Sequence, residues 1–194
     1  MKIHNFEQQS PEWFEIRLGK LTASVAQAIS ANGKGLETLC FEKAAEILSG
    51  AREESYTNKD MERGNKQEKL ARASYEMQTG RDVKVVGFVE ADKHTGASPD
   101  GLVGNDGMIE IKCQRAGVYV KTLYTKKIDS KHVWQMQMQL LVVERKWVDF
   151  TVFNENFEDV IIIRVERDEA KIEKIKVGIE AGKARIAEIL KGVK

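Results

Sequence analysis

The sequence predicts a mixed α/β fold with about five strands flanked by helices, and three observations carry that prediction. Apolar residues recur at helical spacing through the first eighty positions, short β-branched runs bounded by turn residues fill 83–113, and a helix, two strands and a charged helix follow. Ser10 before Pro11 is a cap followed by a first-turn proline, so 12–18 forms a short helix stopped by Gly19. Thr22 caps a second helix over 23–30, and 36–49 and 61–79, the latter ending at Gly80, complete the helical region. Segments 83–90, 97–103 and 108–113 read as a three-stranded antiparallel meander with turns at 92–96 and 104–107. Ser130 caps a helix to about Val143, strands 146–153 and 160–166 pair across an Asn/Glu-rich turn, and the last 25 residues form an amphipathic helix carrying Ile172, Ile175, Ile179, Ile186 and Ile189. With no internal repeat or Pro/Ser-rich linker, residues 1–194 read as one domain: a helical N-terminal region over 1–80, a sheet core over 81–166 and a C-terminal helix over 167–192.

Composition narrows the function classes. Hydrophobic residues make up 42% of 194 positions, enough for a core and too many for a disordered chain. No apolar run reaches the roughly 18 residues a membrane span needs, and the start, MKIHNFEQQS, has no apolar signal core, so a cytoplasmic protein is expected. Cys40 and Cys113 are far apart and outside any CxxC pair, which points away from a disulfide framework or zinc site. A net charge of +1 argues against a general polyanion sponge and leaves room for a local basic patch.

Four blocks carry chemistry. In Ser98-Pro99-Asp100-Gly101 followed by Glu110-Ile111-Lys112, strand alternation puts Glu110 and Lys112 on one face, which Asp100 can meet from the neighbouring strand. Two carboxylates there would bind a hard cation such as Mg²⁺ (Mn²⁺ as substitute), with the Ile111 carbonyl as a further ligand and Lys112 beside a metal-bound water. The bland alternative is a solvated strand face with a salt pair. Glu68, in the block from Glu62, lies close to a buried side formed by Leu70, Ala71, Tyr75 and Met77 and wants a cation, or else pairs with Lys66 or Arg72. On the helix from His132, Gln135 and Gln139 project on the same side as His132 and Gln137 faces away, so the first two glutamines are site candidates unless they serve main chain. Arg17, Lys20, Thr22 and Ser24 form a candidate phosphate cradle at a helix start, or a simple cap. Between Lys112 and Lys131 there are six basic residues and one acid, which suits a polyanion or makes a loop of solvated lysines.

Taken together, Arg17 to Ser24, Arg63 to Glu68, Ser98 to Gly101 with Glu110 to Cys113, and Trp134 to Gln137 resemble the λ-exonuclease-like, YqaJ-type viral recombination branch of the PD-(D/E)xK nucleases. The resemblance implies that fold, with a central mixed sheet, and a Mg²⁺-dependent 5′-to-3′ exonuclease that digests linear double-stranded DNA processively and leaves 3′ tails. It implies that Asp100, Glu110 and the Ile111 carbonyl hold Mg²⁺, that Lys112 handles the nucleophilic water, and that Glu68 and Gln135 complete the site. Arg17, Thr22 and Ser24 would bind the 5′-phosphate, and Met61 falls where the family places an apolar wedge. A homotrimeric ring, a single-strand annealing partner and a phage or prophage origin come with the same resemblance. Gln114 stands where the family can have proline, which leaves DNA contacts around Arg115 open. Two other functions share these residues: a restriction- or repair-type endonuclease, and a DNA-binding module that has lost catalysis.

Overall fold

A computed structural model describes residues 1–52 and 59–193, with only the backbone described at 59–63 and 65. In chain order the elements are β1 (Lys2–His4), α1 (Pro11–Arg17), β2 (Leu21–Thr22), a 3-10 turn (Ala23–Val25), α2 (Ala26–Ala31), α3 (Lys34–Ser49) and α4 (Lys59–Thr79). Then come β3 (Val83–Lys84), β4 (Phe88–Asp92), β5 (Thr95–Ala97), β6 (Gly101–Val103), β7 (Gly107–Cys113), α5 (Ala116–Thr125), α6 (Ser130–Val143), β8 (Trp147–Phe153), β9 (Ile161–Glu166) and α7 (Glu169–Gly192).

Two mixed sheets result, ordered β3-β6-β7-β8-β9 and β1-β4-β5-β2. In the larger one β7 and β8 are parallel, and every other pair is antiparallel. Both central strands bury apolar residues on each face, as a doubly covered sheet requires. Met108, Val148 and Phe150 pack with Met136, Met138 and Leu140 of α6. Ile109, Ile111 and Phe153 face the other way, against Ala71 and Tyr75 of α4. The all-round apolar α6 touches β4 and β5 of the small sheet as well as β8.

The expected meander does not form as one sheet, although both of its antiparallel pairings do, β4 with β5 and β6 with β7. Segment 83–90 splits into β3 and β4, and 97–103 splits into β5 and β6, the halves lying in different sheets. Pro99 has no N–H for a ladder, so the second strand breaks at Ser98-Pro99-Asp100. Gly87 passes so close to the segment after β1 that an added Cβ would lie 2.1 Å from the Phe6 carbonyl oxygen, which marks the first crossing. The short strands β1 and β2 went unread because two or three residues carry no periodic signal. On α4 the buried stripe is Gln67, Ala71 and Tyr75, at four-residue spacing, while Leu70 and Met77 lie on the exposed side, against expectation.

Segment 116–125 is a helix rather than a loop. Gly117 and the β-branched Val118, Val120, Thr122 and Thr125 are weak helix formers, so propensity hides it. Packing supplies what propensity does not: the Tyr119 ring stacks on Phe157 at 4.3 Å, its hydroxyl donates to the Asp159 carbonyl at 2.8 Å, and Thr122 Oγ1 donates to Gln114 Oε1 at 3.0 Å. Caps follow the same logic. Ser10 Oγ accepts the Trp13 N–H as expected, but α6 is capped by Asp129, whose Oδ1 accepts the Lys131 N–H, and not by Ser130.

The apolar face of α7 packs on α2 and α3, burying Ile172, Ile175, Ile179 and Ile186. Gly178 sets how closely these helices approach, because an added Cβ would sit 2.0 Å from the Ile29 carbonyl oxygen, a backbone atom that cannot swing aside. Gly178→Ala is therefore expected to lower unfolding free energy by about 1–3 kcal/mol despite alanine's better helix propensity. A urea titration checks this, with Gly117→Ala, where the added methyl meets open space, as the comparison expected to be neutral or slightly stabilising.

Candidate active site

The site forms where β6 stops and β7 continues. Pairing runs from Val103↔Gly107 to Gly101↔Ile109 and ends there, so Asp100 lies across from Glu110 by one more step of the same register. The Asp100 carboxylate takes the place of the missing strand, its Oδ2 accepting the Ile111 N–H at 2.6 Å. A strand residue points its N–H and C=O to the same side, so the Ile111 carbonyl is also directed toward the edge that β6 has vacated. On the α6 face, Lys112 Nζ donates to Glu110 Oε1 at 2.6 Å, in line with the alternation expected for Glu110 and Lys112.

Acidic charge is concentrated here. Burial pushes the Asp100 carboxyl well above the ordinary carboxylate range, the Glu110 charge adds to this, and Lys112 only partly offsets it. Glu68 is also raised, first by burial and then by Glu110, against the pull of Arg72. Its nearest cation is Arg72, whose Nη2 donates to Glu68 Oε1 at 2.6 Å, so the Arg72 pairing foreseen as the simpler reading is present while Glu68 also feels Glu110 and Lys112. For Lys112, burial works downward, but Glu110 and Asp100 outweigh it and hold the ammonium above its usual value.

Among the described residues, no group of three His, Cys, Asp or Glu side chains forms a ready-made metal cage. The donor set nevertheless suits Mg²⁺, which usually keeps waters and uses one or two carboxylates together with substrate phosphates. A divalent cation would also relieve the repulsion that raises Asp100.

Helix α6 closes the other side. Gln135 Nε2 donates to Glu110 Oε1 and Gln139 Nε2 to Glu110 Oε2, each at 2.7 Å. Gln137 faces away, donating to the Glu166 carbonyl and accepting the Asp168 N–H, which matches the helical projection. His132 lies beside Lys112 and Glu110 in the same field, and burial lowers its pKa.

A second centre surrounds Arg17. Its Nη1 donates to Ser98 Oγ at 3.2 Å and its Nη2 to Thr22 Oγ1 at 3.3 Å, while Thr22 Oγ1 and Ser24 Oγ are 3.2 Å apart. The guanidinium lies 4.1 Å from the Trp13 ring centre, and Trp13 Nε1 donates to Ser98 Oγ at 2.8 Å. Arg17, Thr22 and Ser24 line a cavity of about 660 Å³, which Lys43, Glu46 and Arg52 also line. Burial, with Arg52 nearby, pushes the Arg17 pKa down to about 10. The expected helix-start cradle needs correcting: Thr22 precedes a three-residue 3-10 turn, makes no side-chain cap, and spends its hydroxyl on Arg17. Trp13 and Ser98 tie this cavity to the segment before Asp100; Ser98 belongs to the Asp100 block, but no sequence spacing joins it to Arg17 or Trp13. Arg115 sits at the start of α5, exposed, with its carbonyl accepting from Val118 and Tyr119. The Met61 side chain lies outside the described residues.

The family model of the YqaJ-like viral recombinase domain matches residues 12–146, a span that holds all four blocks. The chain belongs to this family. Among solved structures, an alkaline exonuclease from Laribacter hongkongensis is 33% identical, with 95% of this chain and 96% of that one covered at a TM-score of 0.88. The complex of the same exonuclease with dAMP aligns with the same TM-score of 0.88 at 34% identity. A phage-related exonuclease from Haemophilus somnus 129PT shares the fold at 18% identity, TM-score 0.73, over 90% of this chain and 96% of that one. No curated protein matches the chain. The YqaJ-like chain thus has the mixed α/β architecture of the PD-(D/E)xK nucleases, with the acidic pair and lysine on the central sheet and α6 against them. Among the described residues of this YqaJ-like protein, no helix is long and apolar enough to cross a membrane.

Proposed function

We infer that this protein is a Mg²⁺-dependent nuclease of phage-type recombination that digests one strand of linear duplex DNA from its 5′ end and leaves a 3′ single-stranded tail. The observation that carries the reading is the junction of Asp100, Glu110 and Lys112 where β6 ends, in a chain similar along 95% of its length to an alkaline exonuclease. Asp100, Glu110 and the Ile111 carbonyl would hold the cation, with Glu68 behind them. Bound Mg²⁺ would polarise the scissile phosphoryl group and lower the pKa of its water. Lys112, an ammonium while the carboxylates are charged, is a donor that orients the attacking water or a phosphate oxygen, and Gln135 holds Glu110 in place for both. A trimeric ring, processive digestion, an annealing partner and work in the cytoplasm of a phage-infected bacterium follow as components of the same proposal.

Arg17 supports an end-binding enzyme over an endonuclease. Among the described residues its hydrogen-bond partners are hydroxyls and not a carboxylate, so a desolvated cation beside a 660 Å³ cavity is suited to an incoming phosphate. Duplex with 5′-phosphate ends should be digested roughly 10- to 100-fold faster than duplex with 5′-hydroxyl ends, the scale of one charged hydrogen bond. Arg17→Ala should erase that preference. Equal rates on the two ends with the wild-type protein would remove the anchor, and nicking of closed circles would favour the endonuclease.

A further inference from the structure

Gln139 lies one helical turn beyond Gln135 and is fully buried. The two glutamines divide the Glu110 carboxylate between them: Oε1 takes Gln135 and Lys112, and Oε2 takes Gln139 at 2.7 Å. An ionised carboxylate only accepts, so the Gln139 nitrogen must face Glu110 and its oxygen must point away. Among the described residues that Oε1 is buried without a hydrogen-bond partner, as is Nδ1 of His132, seven residues earlier on the same side of α6. A buried acceptor with no donor destabilises a fold, and an apolar side chain of the same size would pack there without that penalty. The glutamine is thus unfavourable for packing at a position from which it grips Oε2.

We propose that Gln139 is a positioning residue that fixes the rotation of the Glu110 carboxylate for cation binding. A neutral amide suits this task because it holds the oxygen without neutralising its charge. Lys112 differs on both counts: it carries a charge, and its side chain is 29% exposed, whereas Gln139 is enclosed. This rests on the nuclease reading above, and Gln139 acts through Glu110 without touching DNA.

The test compares the wild type with Gln139→Met and Gln139→Leu, using melting temperature with and without Mg²⁺ and steady-state digestion of linear duplex. Without cation both variants should melt below the wild type, because the buried Glu110 Oε2 loses the donor that Gln139 supplies. Their half-saturating Mg²⁺ concentration, read from the cation-dependent rise in melting temperature, should increase roughly 10- to 100-fold, the usual effect of removing a group that orients a metal ligand. Digestion should fall at limiting Mg²⁺ and recover at high Mg²⁺, with KM for DNA unchanged. A wild-type Mg²⁺ response in both variants overturns the proposal, and lowered cation-free stability together with that unchanged response would mark a purely structural glutamine. A wild-type protein with neither a Mg²⁺ response nor digestion would overturn the nuclease reading and this inference with it.

Discussion

Lys112→Ala is expected to reduce digestion of linear duplex DNA by roughly 10²- to 10⁴-fold, the range a positioned proton donor or acceptor contributes. Asp100→Ala should do at least as much, because it removes a ligand and also frees the Ile111 N–H that the carboxylate holds at 2.6 Å. The two losses have different companions. Without Lys112, Glu110 keeps the two glutamine bonds but loses its ammonium, so the carboxylates repel more strongly and the cation should bind at least as well. Without Asp100, cation binding itself should weaken. Measuring digestion and Mg²⁺-dependent melting on both variants separates the roles, and wild-type digestion by either would contradict the assignment.

The largest effect on stability is expected at Asp149, on the opposite face of the same sheet. This side chain is 3% exposed and accepts from Tyr75 Oη at 2.7 Å and from Arg164 Nε and Nη2 at 2.7 and 3.0 Å, with Arg81 Nη1 at 3.5 Å. Arg164 in turn lies 3.6 Å from the centre of the Trp147 ring. Burial first, then the bond to Asp149, pushes the Tyr75 hydroxyl up to about 12, so it is a donor at any physiological pH. Asp149→Ala would leave a buried phenol and two guanidinium groups without their acceptor. Breaking such a network costs about 3–5 kcal/mol when both partners are buried. Arg164 is 37% exposed and recovers water, so a loss of about 3 kcal/mol is expected. Tyr75→Phe, which removes one hydrogen bond and leaves the ion pair, should cost about 1 kcal/mol. Urea unfolding of the two variants checks the ranking, and a loss below that of Tyr75→Phe for Asp149→Ala would refute it.

What was legible in the sequence follows from the range of the forces involved. Glu110 and Lys112 sit two residues apart on a strand, and Gln135 and Gln139 sit four apart on a helix. Local geometry alone brings each pair together, and the structure agrees. Arg17 and Ser98 are 81 positions apart, and no spacing rule joins them. The split of 83–90 and 97–103 between two sheets was hidden for the same reason: each half-strand has strand chemistry, and only the crossings at Gly87 and Pro99 decide which sheet receives it. Asp149 left a usable trace, a lone carboxylate in the apolar run Trp147-Val-Asp-Phe-Thr-Val-Phe153, which implies a buried partner without naming it. Helix α5 left none, because its residues favour strand or coil until Tyr119 stacks on Phe157.

A divalent cation held between Asp100 and Glu110 is the centre of the proposed chemistry. Anomalous diffraction from crystals soaked in Mn²⁺ tests it most directly. The expected result is a peak roughly 2.0–2.3 Å from carboxylate oxygens of both residues and from the Ile111 carbonyl oxygen, with Lys112 turned away from Glu110. A peak elsewhere, with Lys112 still bonded to Glu110 and no density between the two acids, would contradict it.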